Sequence, residues 1–280
     1  MKKPIVFSLF RDQSVFMTAI MGILTFLAVL SLGLSLAIGT GIINWNRQWS
    51  VHATVQVIDS KQTETIKKIF EKNQDKIDTM RQLNDDEMSK LMRPWLSGGK
   101  GVLSKYLPTM FEVKFKTESD MTTIGNLIGT NARFIPHSDA LRPSISAGWK
   151  MVTILALLLG LIIVTIGTCV SFIARNTALL HKRELEILNQ IGASDKFVTR
   201  QMQMIIAKIC TTACGIGFIA ACPLLLLILG VAHSARVGLM AMLEISGPGW
   251  IALLFVPFVI VLFAIAVTKK TTLKILNQES

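Results

Sequence analysis

Four long apolar runs alternate with polar stretches along this chain. They cover residues 17–43, 151–174, 209–231 and 250–268, and none of them contains an acidic residue. A helix needs about 20 mostly apolar residues to cross the hydrocarbon core of a bilayer. The pattern therefore predicts four transmembrane helices, the first of them retained because it is too long for the apolar region of a signal peptide.

A different pattern fills the segment between the first two runs. The stretches 50–58 (SVHATVQVI), 109–116 (TMFEVKFK) and 132–136 (ARFIP) alternate polar and apolar residues, which predicts strands. Apolar residues at helical spacing predict one helix over 63–80 and a second over 121–128. Strands that alternate with helices indicate a small α+β domain of the ferredoxin-like kind.

An insertion over about 82–104 is predicted to form a helical lobe on this domain. Asn84 followed by three acidic residues is typical of a helix start. The apolar residues that follow at i, i+3, i+4 and i+7 are Met88, Leu91, Met92 and Trp95. This stripe either packs onto the domain or binds a partner, and methionine and tryptophan suit an adaptable hydrophobic contact.

These assignments predict a polytopic α-helical membrane protein with four transmembrane helices and a small α+β (ferredoxin-like) extracytoplasmic domain that carries a helical lobe. The predicted segments are a cytoplasmic N-terminal segment (1–16), the first span (17–43), the periplasmic domain (44–150), the second span (151–174), a cytoplasmic coupling helix and hinge (175–208), the third span (209–231), a periplasmic loop (232–249), the fourth span (250–268) and a cytoplasmic tail (269–280).

Composition and charge fix the predicted orientation. The mean hydropathy is +0.52 and the net charge is +11. Basic residues cluster before the first run, within 175–208 and after the fourth run, whereas the loop 232–249 contains Arg236 alone. By the positive-inside rule both termini are cytoplasmic. Most of the positive charge is thereby explained as an orientation signal, and nucleic-acid binding is not indicated.

The residues that usually mark catalysis are not grouped in this sequence. The four cysteines lie in or beside the apolar runs, and Cys210 and Cys214, one helical turn apart, have no further metal ligand nearby. The four histidines are scattered, and no phosphate-binding glycine motif occurs. We therefore predict no catalytic, cofactor-binding or metal-binding residues and no enzyme activity. The runs also lack ionisable groups at their centres, which argues against a polar conduit.

Small residues line one face of the first run. Ser31, Ser35 and Gly39 follow one another at intervals of four, so they share a helix face. In lipid, small residues allow close approach of helix backbones. We predict a helix contact on this face, either within the bundle or between two copies of the chain.

The cytoplasmic stretch RELEILNQIGASDKF, residues 183–197, has the pattern of an amphipathic helix, a glycine break and a new helix. Gly192 stands where a helix commonly ends, and Ser194 can cap the next one. The stretch is either an interfacial connector or a coupling element presented to a cytoplasmic partner.

The same stretch resembles a motif of the FtsX/MacB-type permease superfamily, whose members are membrane subunits driven by a separate ABC ATPase. The layout of four spans with an external domain after the first is similar to that superfamily along the whole chain. The small size of that domain and the sequence YLPTMFEVKF, residues 106–115, resemble the FtsX branch.

The resemblance implies a non-transporting subunit of bacterial cell division in the inner membrane, at the septum. It implies an FtsE-like ABC ATPase that holds the ATP, a homodimer, contacts with divisome proteins, and no cofactor bound by this chain. The ATPase contact would be formed by Arg183, Glu184, Glu186, Ile187, Gly192 and Ala193. A periplasmic hydrolase activator or hydrolase would bind Met88, Leu91, Met92 and Trp95. The alternative is a MacB-like permease that exports or extracts a lipid, lipoprotein or peptide.

Overall fold

The computed structural model describes the backbone of residues 10–57, 62–84, 87, 108–180, 195–235 and 238–279. It divides into two compact units. The helical unit contains residues 1–41 and 148–280, and the sheet unit contains residues 42–147. The predicted coupling segment 183–193 and the predicted lobe residues 88–95 lie outside the described residues.

Four long helices contain the apolar runs. They are α1 (Phe10–Trp49), α4 (His137–Leu180), α5 (Asp195–Ser234) and α6 (Gly247–Glu279). Each is long and apolar enough to cross a membrane. All four helices extend beyond the predicted spans, α4 and α5 most of all, because each helix continues through polar residues that flank the apolar run.

Packing within the helical unit depends on a few buried residues from each helix. One cluster joins Met21 of α1, Ile166 of α4, Cys210 of α5 and Ala264 of α6, all at most 1% exposed. Large apolar side chains on the remaining faces, such as Leu157 of α4 and Leu262 of α6, are about two-thirds exposed. Exposed apolar faces of this kind suit a lipid environment, in which they meet no water.

Tryptophans mark one end of the predicted spans. Four of the five tryptophans, Trp45, Trp49, Trp149 and Trp250, flank the apolar runs of α1, α4 and α6 at the ends predicted to face outwards. The amphipathic indole ring favours the headgroup region, so such residues form a belt at a membrane interface.

The sheet unit has the element order β-α-β-β-α-β. Its elements are β1 (His52–Val57), α2 (Thr63–Lys72), β2 (Ile77–Gln82), β3 (Thr109–Phe115), α3 (Glu118–Ile128) and β4 (Arg133–Pro136). The strands form an antiparallel sheet in the order β2-β3-β1-β4. This is the arrangement of the split βαβ motif.

Alternation along the two central strands produces the core of the sheet unit. Ala53, Val55 and Val57 of β1 are buried, and so are Phe111, Val113 and Phe115 of β3. Ile66 and Phe70 of α2 and Met121, Ile124 and Ile128 of α3 cover this face. The intervening residues of β1 and β3 are partly exposed on the other face, which has a polar character.

The helix predicted over 63–80 is wrong in its second half. Helix α2 ends at Lys72, because Asn73 leaves the helical region (φ −122°, ψ 32°) and its side-chain amide donates to the carbonyl of Ile69 at 2.8 Å. Ile77, which fits the helical period, instead begins strand β2 and packs against the core. The missed strand places the predicted lobe after β2 rather than directly after a helix.

We expect the aromatic core to dominate the stability of the sheet unit. Phe111→Ala leaves a cavity against Phe70, whose ring centroid is 5.9 Å from that of Phe111. The change should lower the free energy of unfolding of this unit by about 3–5 kcal/mol. Native-state hydrogen exchange of the β1 and β3 amides in the full chain measures it. The matched control is Met110→Ala on the opposite face; equal losses for both variants would contradict this account of the core.

Candidate functional site

Helices α1 and α5 approach each other closely at two glycines. A Cβ atom at Gly217 of α5 would overlap the carbonyl oxygen of Gly22 and would lie 3.0 Å from Thr25 Cβ and 3.1 Å from Phe26 N of α1. The other side of the crossing is also tight, since a Cβ at Gly22 would lie 3.4 Å from the carbonyl oxygen of Ala213. Backbone thus packs directly on backbone, which only residues without a side chain permit.

A hydrogen bond lies one turn from this crossing. The buried hydroxyl of Thr25 donates to the carbonyl of Met21 at 2.8 Å and lies 3.2 Å from Cys214 Sγ of α5. Ala221 and Leu225, both fully buried, continue the contact along α5, where Leu225 fills the space beside Gly33. The contact therefore extends over several turns of both helices.

Three further hydrogen bonds connect the helices in a ring. Ser31 of α1 donates to the carbonyl of Leu155 of α4 at 2.7 Å. Thr271 of α6 donates to Ser171 of α4 at 3.3 Å, and Gln203 of α5 donates to the carbonyl of Ile265 of α6 at 3.3 Å. Together with Thr25 and Cys214, these bonds link α1 to α4, α4 to α6, α6 to α5 and α5 back to α1. A shift of one helix is thereby opposed by polar as well as apolar contacts.

The three predicted packing residues of α1 have different environments. Ser31 is 3% exposed and makes the bond to α4. Ser35 and Gly39 are half-buried, and a Cβ atom at Gly39 would have no described atom within 4 Å. The tight glycine contacts of α1 are made instead by Gly22, Gly33 and Gly41.

Sequence reasoning overlooked Gly22 as a contact residue. A usable signal existed, because Gly22 and Gly33 are separated by about three helical turns and so share a face. On α5, small residues one helical turn apart form two pairs, Thr211 with Gly215 and Gly217 with Ala221. The second pair is in the contact, whereas Thr211 is exposed and Gly215 has open space beside it in the described part of the chain.

The described residues that lead into the predicted lobe form a helix start. Glu87 is helical, and its carboxylate accepts from the backbone N–H of Asn84 at 3.4 Å, as in a capping box. Glu87 also pairs with Arg81 of β2, and this pairing raises the pKa of Arg81 above its usual value. Glu87 thus has a structural role, since it bonds to the backbone of Asn84 and pairs with Arg81.

A second ion pair lies on the open face of the sheet. Lys114 Nζ of β3 is 2.5 Å from Asp78 Oδ2 of β2. The hydrogen bond and the charge of Lys114 lower the pKa of Asp78 below its usual value. Both side chains are well exposed, so the pair adds little to stability.

The residues predicted to contact partner proteins are not among those whose contacts the structure describes. Arg183, Glu184, Glu186, Ile187, Gly192 and Ala193 lie outside the described residues, as do Met88, Leu91, Met92 and Trp95. In the described ranges, no three His, Cys, Asp or Glu side chains come together as metal ligands would. In the described part of the helical unit, the helices are connected by close packing at glycines and by hydrogen bonds.

No protein-family model matches this chain, and no curated protein is significantly similar to it in sequence.

Substitution of a glycine at the α1–α5 crossing tests whether this contact stabilises the helical unit. Gly217→Ala forces the backbones apart and should cost about 1–3 kcal/mol of stability. Gly215→Ala, two positions away on the same helix, meets open space and should be neutral or slightly stabilising, since alanine favours helix. Thermal unfolding of both variants in one detergent measures the difference. Equal unfolding temperatures would show that the crossing does not stabilise the helical unit.

Proposed function

We propose that this chain is the membrane subunit of an FtsEX-type complex in bacterial cell division. In this role a cytoplasmic ABC ATPase binds the segment 183–193, and the sheet unit, an extracytoplasmic ferredoxin-like domain, regulates peptidoglycan hydrolases through the lobe 88–95. The chain itself binds no ATP and catalyses no reaction.

The continuity of the helices supports this proposal most strongly. Helix α4 follows β4 without an intervening loop and continues for 44 residues to Leu180, just before the predicted ATPase contact. At 1.5 Å per residue it is about 66 Å long, roughly twice the thickness of the hydrocarbon core. Helix α1 likewise extends to Trp49, shortly before β1 begins at His52. A displacement at one end of such a helix is transmitted to the other end.

The tight coupling within the helical unit supports transmission rather than passage of a solute. The buried polar side chains of the described helical unit are Thr25, Ser31, Thr268 and Thr272, none of them ionisable. A path for a charged substrate usually contains ionisable groups facing a cavity. Hydrogen bonds between helices occupy the hydroxyls of Thr25 and Ser31 instead.

In the proposed mechanism the complex alternates between two conformations. ATP binding closes the pair of ATPase subunits and moves the segment 183–193 of each chain in a homodimer. The ends of α4 and α5 that flank this segment shift, and the sheet unit changes the state of its periplasmic partner. By linkage, the partner in turn alters the affinity for ATP. Such a subunit belongs in the inner membrane at the septum, among other divisome proteins.

The second candidate is a MacB-like permease that moves a lipid, lipoprotein or peptide. Its apolar substrates would not require ionisable groups in the membrane. The buried side chains of the described helical unit therefore do not by themselves distinguish the two candidates. The short external segment 44–150 favours the first candidate, because the resemblance associates substrate extraction with a much larger external domain.

Affinity capture of the full chain from its native membrane tests the proposal. We expect a soluble protein with a G-x-x-x-x-G-K-[ST] motif to be captured with the chain and identified by mass spectrometry. Glu186→Lys should reduce its recovery about tenfold or more, since it reverses a charge at the proposed interface. Lys270→Glu, a charge reversal just after the apolar run of α6, is the matched control. Absence of such an ATPase, or equal recovery with both variants, would refute the proposed partner.

A further inference from the structure

Three aromatic rings meet where the two long helices join the sheet unit. Trp49 is the last residue of α1, His52 is the first of β1, and His137 is the first of α4. The centroid of the Trp49 ring lies 5.2 Å from that of His52 and 5.6 Å from that of His137. The two imidazole rings are stacked, with centroids 6.3 Å apart and planes inclined by 14°. All three residues belong to the sheet unit.

One hydrogen bond fastens this cluster to the sheet. His137 Nε2 lies 2.9 Å from Thr54 Oγ1 on the central strand β1. Strand β4, which ends immediately before His137, pairs with β1 through Thr54 and Ile135. The first turn of α4 is therefore attached to β1 by a side chain as well as through the ladder.

The environment of the His137 ring disfavours an added proton, since the ring is half-buried and stacked on the ring of His52. His52 Nδ1 is buried and has no hydrogen-bond partner among the described residues. The position of His137 at the start of α4 adds the positive end of the helix dipole. A second imidazolium 6.3 Å away would be repelled by the first.

Charged groups on the neighbouring strands act on the pair in a limited way. Glu112 of β3 favours a proton on His137. Asp78 is already paired with Lys114, and Asp139 of α4 is paired with Arg142. Arg133 stands at the far end of β4, opposite Gln56. Burial, followed by the charge of His52, lowers the pKa of His137 below its usual value, and Glu112 only partly opposes this. His137 precedes the apolar run of α4, which begins at Met151, and so lies outside the predicted span.

We propose that Trp49, His52 and His137 form a proton-sensitive joint, which is closed while His137 is neutral and loosens when His137 takes up a proton. In the closed form the stacked rings and the bond to Thr54 hold the ends of α1 and α4 to β1. Uptake of a proton by His137 places a charge in a half-buried site at the start of α4, where burial and the helix dipole both disfavour it. The inference goes beyond the proposed function, since the joint responds to pH whatever drives the helices.

The pH window follows from linkage. Because the pKa of His137 is lower in the folded chain than in the unfolded chain, the unfolded chain binds more protons between these two values. The stabilising contribution of the neutral ring is complete above about pH 6.5, the usual histidine pKa, and is lost as the pH falls through the folded-state value. Mild acid therefore opens the joint.

Trp49 provides an internal reporter for the test, because an imidazolium quenches a neighbouring indole more strongly than neutral imidazole does. The full chain in lipid nanodiscs is titrated from pH 8 to pH 4.5, and the signal of Trp49→Phe is subtracted. We expect a fall in the Trp49 emission with a midpoint below about pH 6.5. Hydrogen exchange of the β1 and β4 amides, compared at pH-corrected labelling times, should increase over the same interval.

Substitutions of single histidines show which ring causes the pH-dependent changes. His137→Gln retains an acceptor for Thr54, and it should abolish the change in hydrogen exchange and remove the part of the emission change that His137 causes. His233→Gln, at the end of α5, is the matched control and should leave both curves unchanged. The proposal is overturned if His137→Gln gives the same emission and hydrogen-exchange curves as the unaltered chain, or if hydrogen exchange of β1 and β4 stays constant over the titration.

Discussion

The close approach of the α1 backbone at Gly22 to the α5 backbone at Gly217 constrains how the helical unit packs. Within a bilayer, burial of one apolar side chain against another gains little, because lipid tails are equally apolar. Association then relies on close packing and on hydrogen bonds, and both are found at this crossing. The bonds from Ser31 to α4 and from Gln203 to α6 extend the same principle to the other helices. Contacts of this kind oppose the independent movement of one span relative to its neighbours.

Much of the architecture could be predicted from the sequence because its periods are strong. The four apolar runs, the alternation of β1 and β3 and the helical spacing of α3 each correspond to an observed element. Strand β2 could not be predicted, because Ile77 continues the helical period of Ile66, Ile69 and Phe70. The end of α2 is decided by the turn at Asn73 and by the pairing of β2 with β3, a contact between residues distant in sequence. Local spacing contains no information about such a partner strand.

From the sequence we could predict that the apolar helices pack through small residues, but not which small residues make the contacts. Small residues on α1 indicated that a helix packs there, yet several stripes of small residues compete on one apolar helix. Ser31 is in a contact and Gly22 makes the tightest one, while a Cβ at Gly39 would have no atom of the described residues within 4 Å. The choice between stripes depends on the shape of the opposing helix, and in particular on Gly217. For the segment 183–193 and the lobe residues 88–95, the sequence predicts local helices, but their roles are defined by surfaces of other proteins and remain proposals.

We propose that α4 transmits motion from the segment 183–193 to the sheet unit. Insertion of two glycines between Ala147 and Gly148 interrupts α4 where the two units join in sequence, and Gly148→Ala, which preserves the helix, is the control. The measurement is the ATP-dependent change in hydrogen exchange of the β1–β4 amides in the complex with its ATPase. The account predicts that the insertion variant still binds the ATPase but loses this change, while Gly148→Ala keeps it. An unaltered ATP-dependent change in the insertion variant would contradict transmission through α4.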